Sequence, residues 1–206
     1  SVPEDNAWPI ISYENNGGAF GSDDAVAVQL IDNYADATTM EQLAFSAENG
    51  DVTAYWQVVV CDAGDCNVQL ATSNLASSSL VNTAAIPFGV NTAATMLFTS
   101  YTLGGNIEGN DLFRTELIGP NQLRHTRVDD VGENETAIPT INTYVVEFTD
   151  GTTTVQHGLA NFANEDDIET AALGTTVDMA RSAVIGGGAL GWQGRGGIDN
   201  DDNPGA

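Results

Sequence analysis

The chain has 206 residues, with 29 acidic side chains against five arginines and a formal charge of −24. That charge repels phosphate backbones and anionic bilayers, so nucleic acid is not an expected partner. Lysine is absent, which removes Schiff-base catalysis, a Walker-type phosphate loop and Lys–Asn isopeptide cross-links. Hydrophobic residues make up 42% of the chain, enough for one sizeable core or two modest ones. No apolar run approaches bilayer length, so membrane insertion is not expected. The opening SVPEDNAW has neither an initiator Met nor a basic-then-apolar leader and reads as a processed start, in keeping with export. The acidity suits an extracellular or marine protein, or a halophile's surface protein in salt that screens the repulsion.

Short β-rich segments separated by Gly, Asn, Asp and Ser clusters predict strands over 10–13, 25–31, 42–46, 55–61, 66–75 and 80–86. The same series returns over 96–101, 112–118, 122–128, 142–148, 153–162 and 168–173. The stretch EDDIETAALGTTVDMARSAV also fits an amphipathic helix. Its earlier counterpart LVNTAAIPFGVNTAATML carries Pro87 and Gly89, which a helix interior does not tolerate, so strand and loop are favoured.

That return is an internal repeat of about 87 residues. WQVVVCDAGDCNVQLATSNLASSSLVNTAA (56–85) aligns without a gap to TYVVEFTDGTTTVQHGLANFANEDDIETAA (143–172), with ten of thirty positions identical, among them Val58/Val145, Gly64/Gly151, Val68/Val155 and Gln69/Gln156. Upstream the register holds approximately. PIISYENNGG (9–18) falls over MLFTSYTLGG (96–105), with Ser12-Tyr13 against Ser100-Tyr101. DDAVAVQLI (23–31) falls over NDLFRTELI (110–118), and EQLAFS (41–46) over NQLRHT (121–126). The expected fold is all-β: two tandem antiparallel β-sandwiches of Ig-like or jelly-roll-like type, over 1–88 and 89–175, with 176–206 as a surplus strand and acidic tail.

Both cysteines sit in VVVCDAGDCNVQ, at Cys61 and Cys66. In the second unit the equivalent turn reads FTDGTT, where Asp150-Gly151 signals a two-residue hairpin turn. Carried back, the turn becomes Ala63-Gly64, and Cys61 faces Cys66 across a hairpin at disulfide distance. Zinc would need further ligands, and only His125 and His157 are left to supply histidine. A redox role lacks a βαβ context. A local staple that pins the turn is the expected role.

No catalytic constellation emerges, and no enzyme activity, cofactor or metal is expected. His125, between Arg124 and Arg127, reads as a solvated or interfacial basic spot, and His157 as structural. The tail places Asp199, Asp201 and Asn203 at the opening spacing of a calcium loop, but without its central glycine and closing Glu. Asn134 begins an N-glycosylation triplet. Trp8, Trp56 and Trp192 could include a platform for a glycan, although alternation groups Trp56 with Val58 and Val60 on a packed strand face.

After the second unit a third begins: VDMARSAVIGGGALGW (177–192) aligns with VNTAATMLFTSYTLGG (90–105). A surplus strand must pack on its own chain, belong to a longer protein, or complete a sheet in a neighbour. Val177, Met179, Ala183, Val184, Ile185 and Leu190 are the candidate intersubunit residues. The unit LFTSYTLGGNIEGNDLFRTELIGPNQLRHTR…TYVVEFTDGTTTVQHG resembles sandwich repeats strung along bacterial surface proteins and phage fibres, best over 96–158. The resemblance implies a spacer, fibre or adhesive role and carries no catalytic residues with it. The expectation is a structural subunit of an extracellular filament, appendage or surface layer, forming homo-oligomers by strand exchange. The alternative is a virion component for capsid decoration or a tail fibre, with glycan as a possible ligand.

Overall fold

The computed structural model describes residues 2–15, 26–31, 39–40, 42–46, 52–102, 113–127, 137–159 and 170–184. The strands, in chain order, are β1 Val2–Pro3, β2 Ala7–Asn15, β3 Ala27–Ile31, β4 Thr39–Met40, β5 Gln42–Ser46 and β6 Val52–Val60. They continue as β7 Cys66–Leu75, β8 Val81–Ala85, β9 Thr95–Thr102, β10 Phe113–Gly119, β11 Gln122–Arg127 and β12 Ile138–Phe148. Short 3-10 turns at Glu4–Asn6 and Thr92–Ala94 lead into β2 and β9. The described residues contain no α-helix, so 170–184 does not take the amphipathic-helix alternative. The protein is all-β, with small antiparallel sheets that pair up as two sandwich-like halves.

Two three-stranded sheets, β7-β12-β9 and β10-β11-β8, form one half. β12 is paired along both edges, with Val146 opposite Val68 on one side and Met96 on the other. It is also covered on both faces. Ile141 and Val145 point to the β10-β11-β8 sheet, joining Phe113, Leu123 and Leu97 in two buried clusters. Tyr144 and Val146 point the other way, into a third cluster with Trp8 and Leu30. Double cover explains why INTYVV (141–146) is buried without interruption, where a half-covered strand would alternate.

Nearer the start of the chain, β2 pairs with β6 and β3 with β5. These two ladders correspond in register to ladders of the second unit. Advancing β2 by 88 positions and β6 by 87 turns the pair Ser12↔Tyr55 into Ser100↔Asn142, which is the observed pair. Advancing β3 by 87 and β5 by 80 turns Val28↔Phe45 into Thr115↔His125, again observed. The correspondence ends at the bulge that follows Leu117.

The remaining strands depart from expectation. β6 and β7 do not form a hairpin: β6 pairs with β2, whereas β7 crosses to β12 and β8 crosses to β11. β7 and β8 therefore share sheets with strands from beyond position 88, and strand pairing crosses that position. The crossing lets β7 bury both faces, with Cys66 and Val68 in one cluster and Ala71 and Leu75 in the others. In the second unit, strands were expected over 153–162 and 168–173. The described parts, 153–159 and 170–173, carry no ladder and are mostly exposed.

β3 docks on the central sheet through side chains. The Leu30 N–H donates to the Tyr144 hydroxyl at 2.7 Å, and the Val28 N–H donates to Ser100 Oγ at 3.0 Å. Asn142 Nδ2 donates to the Val28 carbonyl at 3.3 Å. Burial pushes the Tyr144 phenol up to about 12, partly offset by the Leu30 hydrogen bond, so it stays protonated at all ordinary pH. Tyr144→Phe removes the acceptor and leaves a buried N–H unpaired, a cost of about 1–3 kcal/mol. Urea unfolding should show that loss, with the strand content of the folded variant unchanged by circular dichroism.

Candidate functional site

The corresponding strands differ sharply in cover, and that difference marks the site. Tyr55 and Trp56 on β6 are 61% and 57% exposed, whereas Asn142 and Thr143, their counterparts on β12, are 4% and 0% exposed. Phe45 on β5 is 42% exposed, and its counterpart His125 on β11 is fully buried. β12 and β11 have β7 and β8 along their second edges. Among the described residues, β6 and β5 have no strand there. Open edges present unpaired N–H and C=O groups, and here three large apolar side chains stand beside them. Alternation alone predicted Trp56 to be packed. The structure instead leaves it more than half exposed.

Between β6 and β7 the chain turns a corner. The Asp65 N–H donates to the Asp62 carbonyl at 3.0 Å, and Gly64 has φ +93°, a value open to glycine at little cost. Cys61 and Cys66 form the expected disulfide, with Cα atoms 6.2 Å apart. The bond staples a change of sheet rather than a hairpin. Asn6 reinforces it: the Cys61 N–H donates to the Asn6 carbonyl at 3.0 Å, and Asn6 Nδ2 donates to the Cys61 carbonyl at 2.9 Å. Closing so short a loop removes about 2 kcal/mol of unfolded-state entropy. Cys61→Ser with Cys66→Ser should lower the urea midpoint by that order while retaining the fold.

His125 is not a basic surface spot. Alternation along β11 turns Leu123, His125 and Arg127 inward and leaves Arg124 outside. The ring packs edge-on to Phe113, with centroids 5.6 Å apart. Its Nε2 lies 2.9 Å from Ser73 Oγ and its Nδ1 lies 3.0 Å from Thr115 Oγ1. Desolvation lowers its pKa to about 4. Arg127, also buried, donates from Nε to the Ser79 carbonyl at 3.0 Å and from Nη2 to the Ala76 carbonyl at 2.6 Å. Outside, Arg124 hydrogen-bonds Glu116 at 3.0 Å, and Arg114 stands 3.3 Å from the same oxygen. The Arg124 hydrogen bond, with help from Arg114, holds the Glu116 carboxyl below its usual range. These groups stabilise a core and a surface.

The other candidates are scattered. His157 lies on the surface with Nε2 3.3 Å from the Thr92 carbonyl. Trp8 is buried against Phe98. Val177, Met179, Ala183 and Val184 are exposed outside any strand, Val184 completely. Asn134, Ile185, Leu190, Trp192, Asp199, Asp201 and Asn203 lie outside the described residues. Among the described residues no group of His, Cys, Asp and Glu is placed to hold a metal ion, and no helix is long and apolar enough to cross a membrane. Comparison with protein-family models, curated proteins and solved structures finds no match for this chain.

The His125 environment sets a pH dependence. Its folded pKa, about 4, lies below the unfolded value near 6.5, so the unfolded chain takes up the proton first on acidification. The contribution of neutral His125 is therefore complete above about pH 6.5 and declines toward pH 4, by up to about 1.4 kcal/mol per pH unit. His125→Gln should be less stable at pH 7 but lose less stability between pH 7 and 5 than the parent. Urea titrations across that range measure the difference, in which the carboxylates common to both proteins cancel.

Proposed function

We propose that the protein is a structural, non-catalytic subunit of an extracellular filament, appendage or surface layer that assembles head to tail by strand addition. The observation that supports it most is the unequal cover of corresponding strands among the described residues: β12 and β11 are flanked, whereas β6 and β5 keep open edges lined by Tyr55, Trp56 and Phe45. Pairing such an edge satisfies its backbone and removes apolar area from water. Its acceptor and its donor are different surfaces, so the contact is heterologous and propagates unless a ring closes. The disulfide suits an oxidising compartment. A charge of −24 opposes association at low ionic strength and is screened to about 3 Å at 1 M salt. A virion component would use the same contact.

Light scattering and negative-stain electron microscopy test the proposal. Raising salt from 0.1 to 2 M and protein concentration from micromolar upward should convert monomer into extended, open-ended polymers. A monodisperse monomer under all of these conditions contradicts it. Trp56→Asp, which places a charge on the open edge, should shift assembly to at least about tenfold higher concentration, equivalent to about 1.4 kcal/mol.

A further inference from the structure

The open edges are acceptors, and the chain itself identifies the donor. We propose that residues 153–159 and 170–173 of one copy complete β6 and β5 of the next, in the register that β7 and β8 already use on β12 and β11. The inference rests on the head-to-tail reading above and gives it a specific contact.

The internal pairing supplies the template. β7 leaves β6 at the disulfide corner, lies against the 3-10 turn of its own unit at Glu4–Asn6, and pairs with β12 of the next unit. Residues 153–159 reproduce the first two steps. They leave β12 at a corner where Gly151, like Gly64, has positive φ. They then lie against the corresponding 3-10 turn, with the Val155 N–H donating to the Ala93 carbonyl at 2.7 Å. What they lack is the next unit. That docking holds them on the β9 side of the central sheet, whereas the corner leading to β6 of their own chain lies on the β7 side.

The donor also keeps its shape without a partner. Gln69 clamps the backbone of Phe88, accepting from its N–H at 2.7 Å and donating to its carbonyl at 3.2 Å. Gln156, 87 positions on, clamps Thr175 in the same two ways at 2.8 and 3.0 Å. The clamp ties 153–159 to 170–175 as Gln69 ties β7 to the chain beyond β8. A segment held this way loses less conformational entropy on pairing than a free one.

The side chains agree with the transposed register. Moving Val68↔Val146 by 87 residues, up for the donor and down for the acceptor, sets Val155 opposite Val59. The same shift turns Thr72↔Asn142 into Leu159↔Tyr55, two residues that are each more than half exposed in the isolated chain. Ala71↔Thr143 becomes Gly158↔Trp56, a large ring beside a residue with no side chain. From β8 on β11, Ala84↔Leu123 becomes Ala171↔Leu43, which is partly buried in the cluster around Trp8.

The test combines two variants that each add one cysteine to the native Cys61–Cys66 pair, Val59→Cys and Val155→Cys, mixed in 2 M salt and mildly oxidised. Directly opposed residues place their Cβ atoms about 5 Å apart, within disulfide reach after small adjustment. Most of the protein should become a covalent heterodimer, and the double variant a ladder of oligomers. Leu159→Cys paired with Val59→Cys stands about 13 Å out of register and should cross-link at least about tenfold less. A chain ending at Thr176 should still polymerise, and one ending at Thr152 should not. Polymers that form without the Val59–Val155 link overturn this donor and leave the assembly reading standing. A double variant that closes only within one chain overturns the donor as an intersubunit element, and absence of both link and polymer overturns both proposals.

Discussion

A β-strand's backbone groups need partners on both sides, and in this protein the demand is met on both edges along most of β12. That strand exchanges hydrogen bonds with β7 and β9 and buries both faces. The other parts are arranged around it. The β10-β11-β8 sheet covers one face, and the docking of β3 through Ser100, Asn142 and Tyr144 covers the other. The polar contacts to Val28 and Leu30 matter because they satisfy the backbone of β3 on the side away from β5, leaving β5 and β6 with open edges among the described residues.

Much of this was legible in the sequence, because aligned strand segments carry register even where the spacing between them changes. The three upstream alignments translate into the observed ladders residue by residue, through Leu117↔Leu123. Ambiguity lay in where the period is cut. A repeat gives the order of strands but not which neighbours share a sheet, so a local hairpin at the cysteines was the simplest reading. Its turn and disulfide formed, and its two strands diverged. His125 was misread for a related reason: flanking arginines suggest solvent, but alternation puts residue 125 and residue 124 on opposite faces. The hydroxyls of Ser73 and Thr115 that make a buried neutral imidazole acceptable come from other strands, and nothing local announces them.

The placement of the disulfide follows from the crossing. At the corner between β6 and β7 the ladder hydrogen bonds of one sheet end before those of the next begin, and the chain there would otherwise be held by few backbone bonds. The Cys61–Cys66 bond and the reciprocal Asn6 contacts stiffen that junction. The second corner carries no cysteine and uses a carboxylate instead. Asp150 accepts from the N–H groups of Thr152 and Thr153 and from the Thr153 hydroxyl, and these bonds, the hydroxyl's first, hold its pKa down at about 2. One corner is fixed covalently and the other by a charge-assisted turn, so the departing segment keeps its direction in both.

Among the described residues, β7 to β12 form two three-stranded sheets, β2, β3, β5 and β6 form two two-stranded ladders, and 153–159 and 170–173 carry no ladder. The same phase extends further. Asn91 anchors its 3-10 turn by accepting from the Ala93 N–H with its side chain and from the Ala94 N–H with its carbonyl, and Asp178 does the same for Ala180 and Arg181. Thr95 and Ser182 complete the two turns with identical hydroxyl bonds. These contacts are local in sequence, whereas a ladder needs a partner strand. Local contacts therefore continue past the last described ladder, and this is the pattern on which the proposed head-to-tail assembly rests.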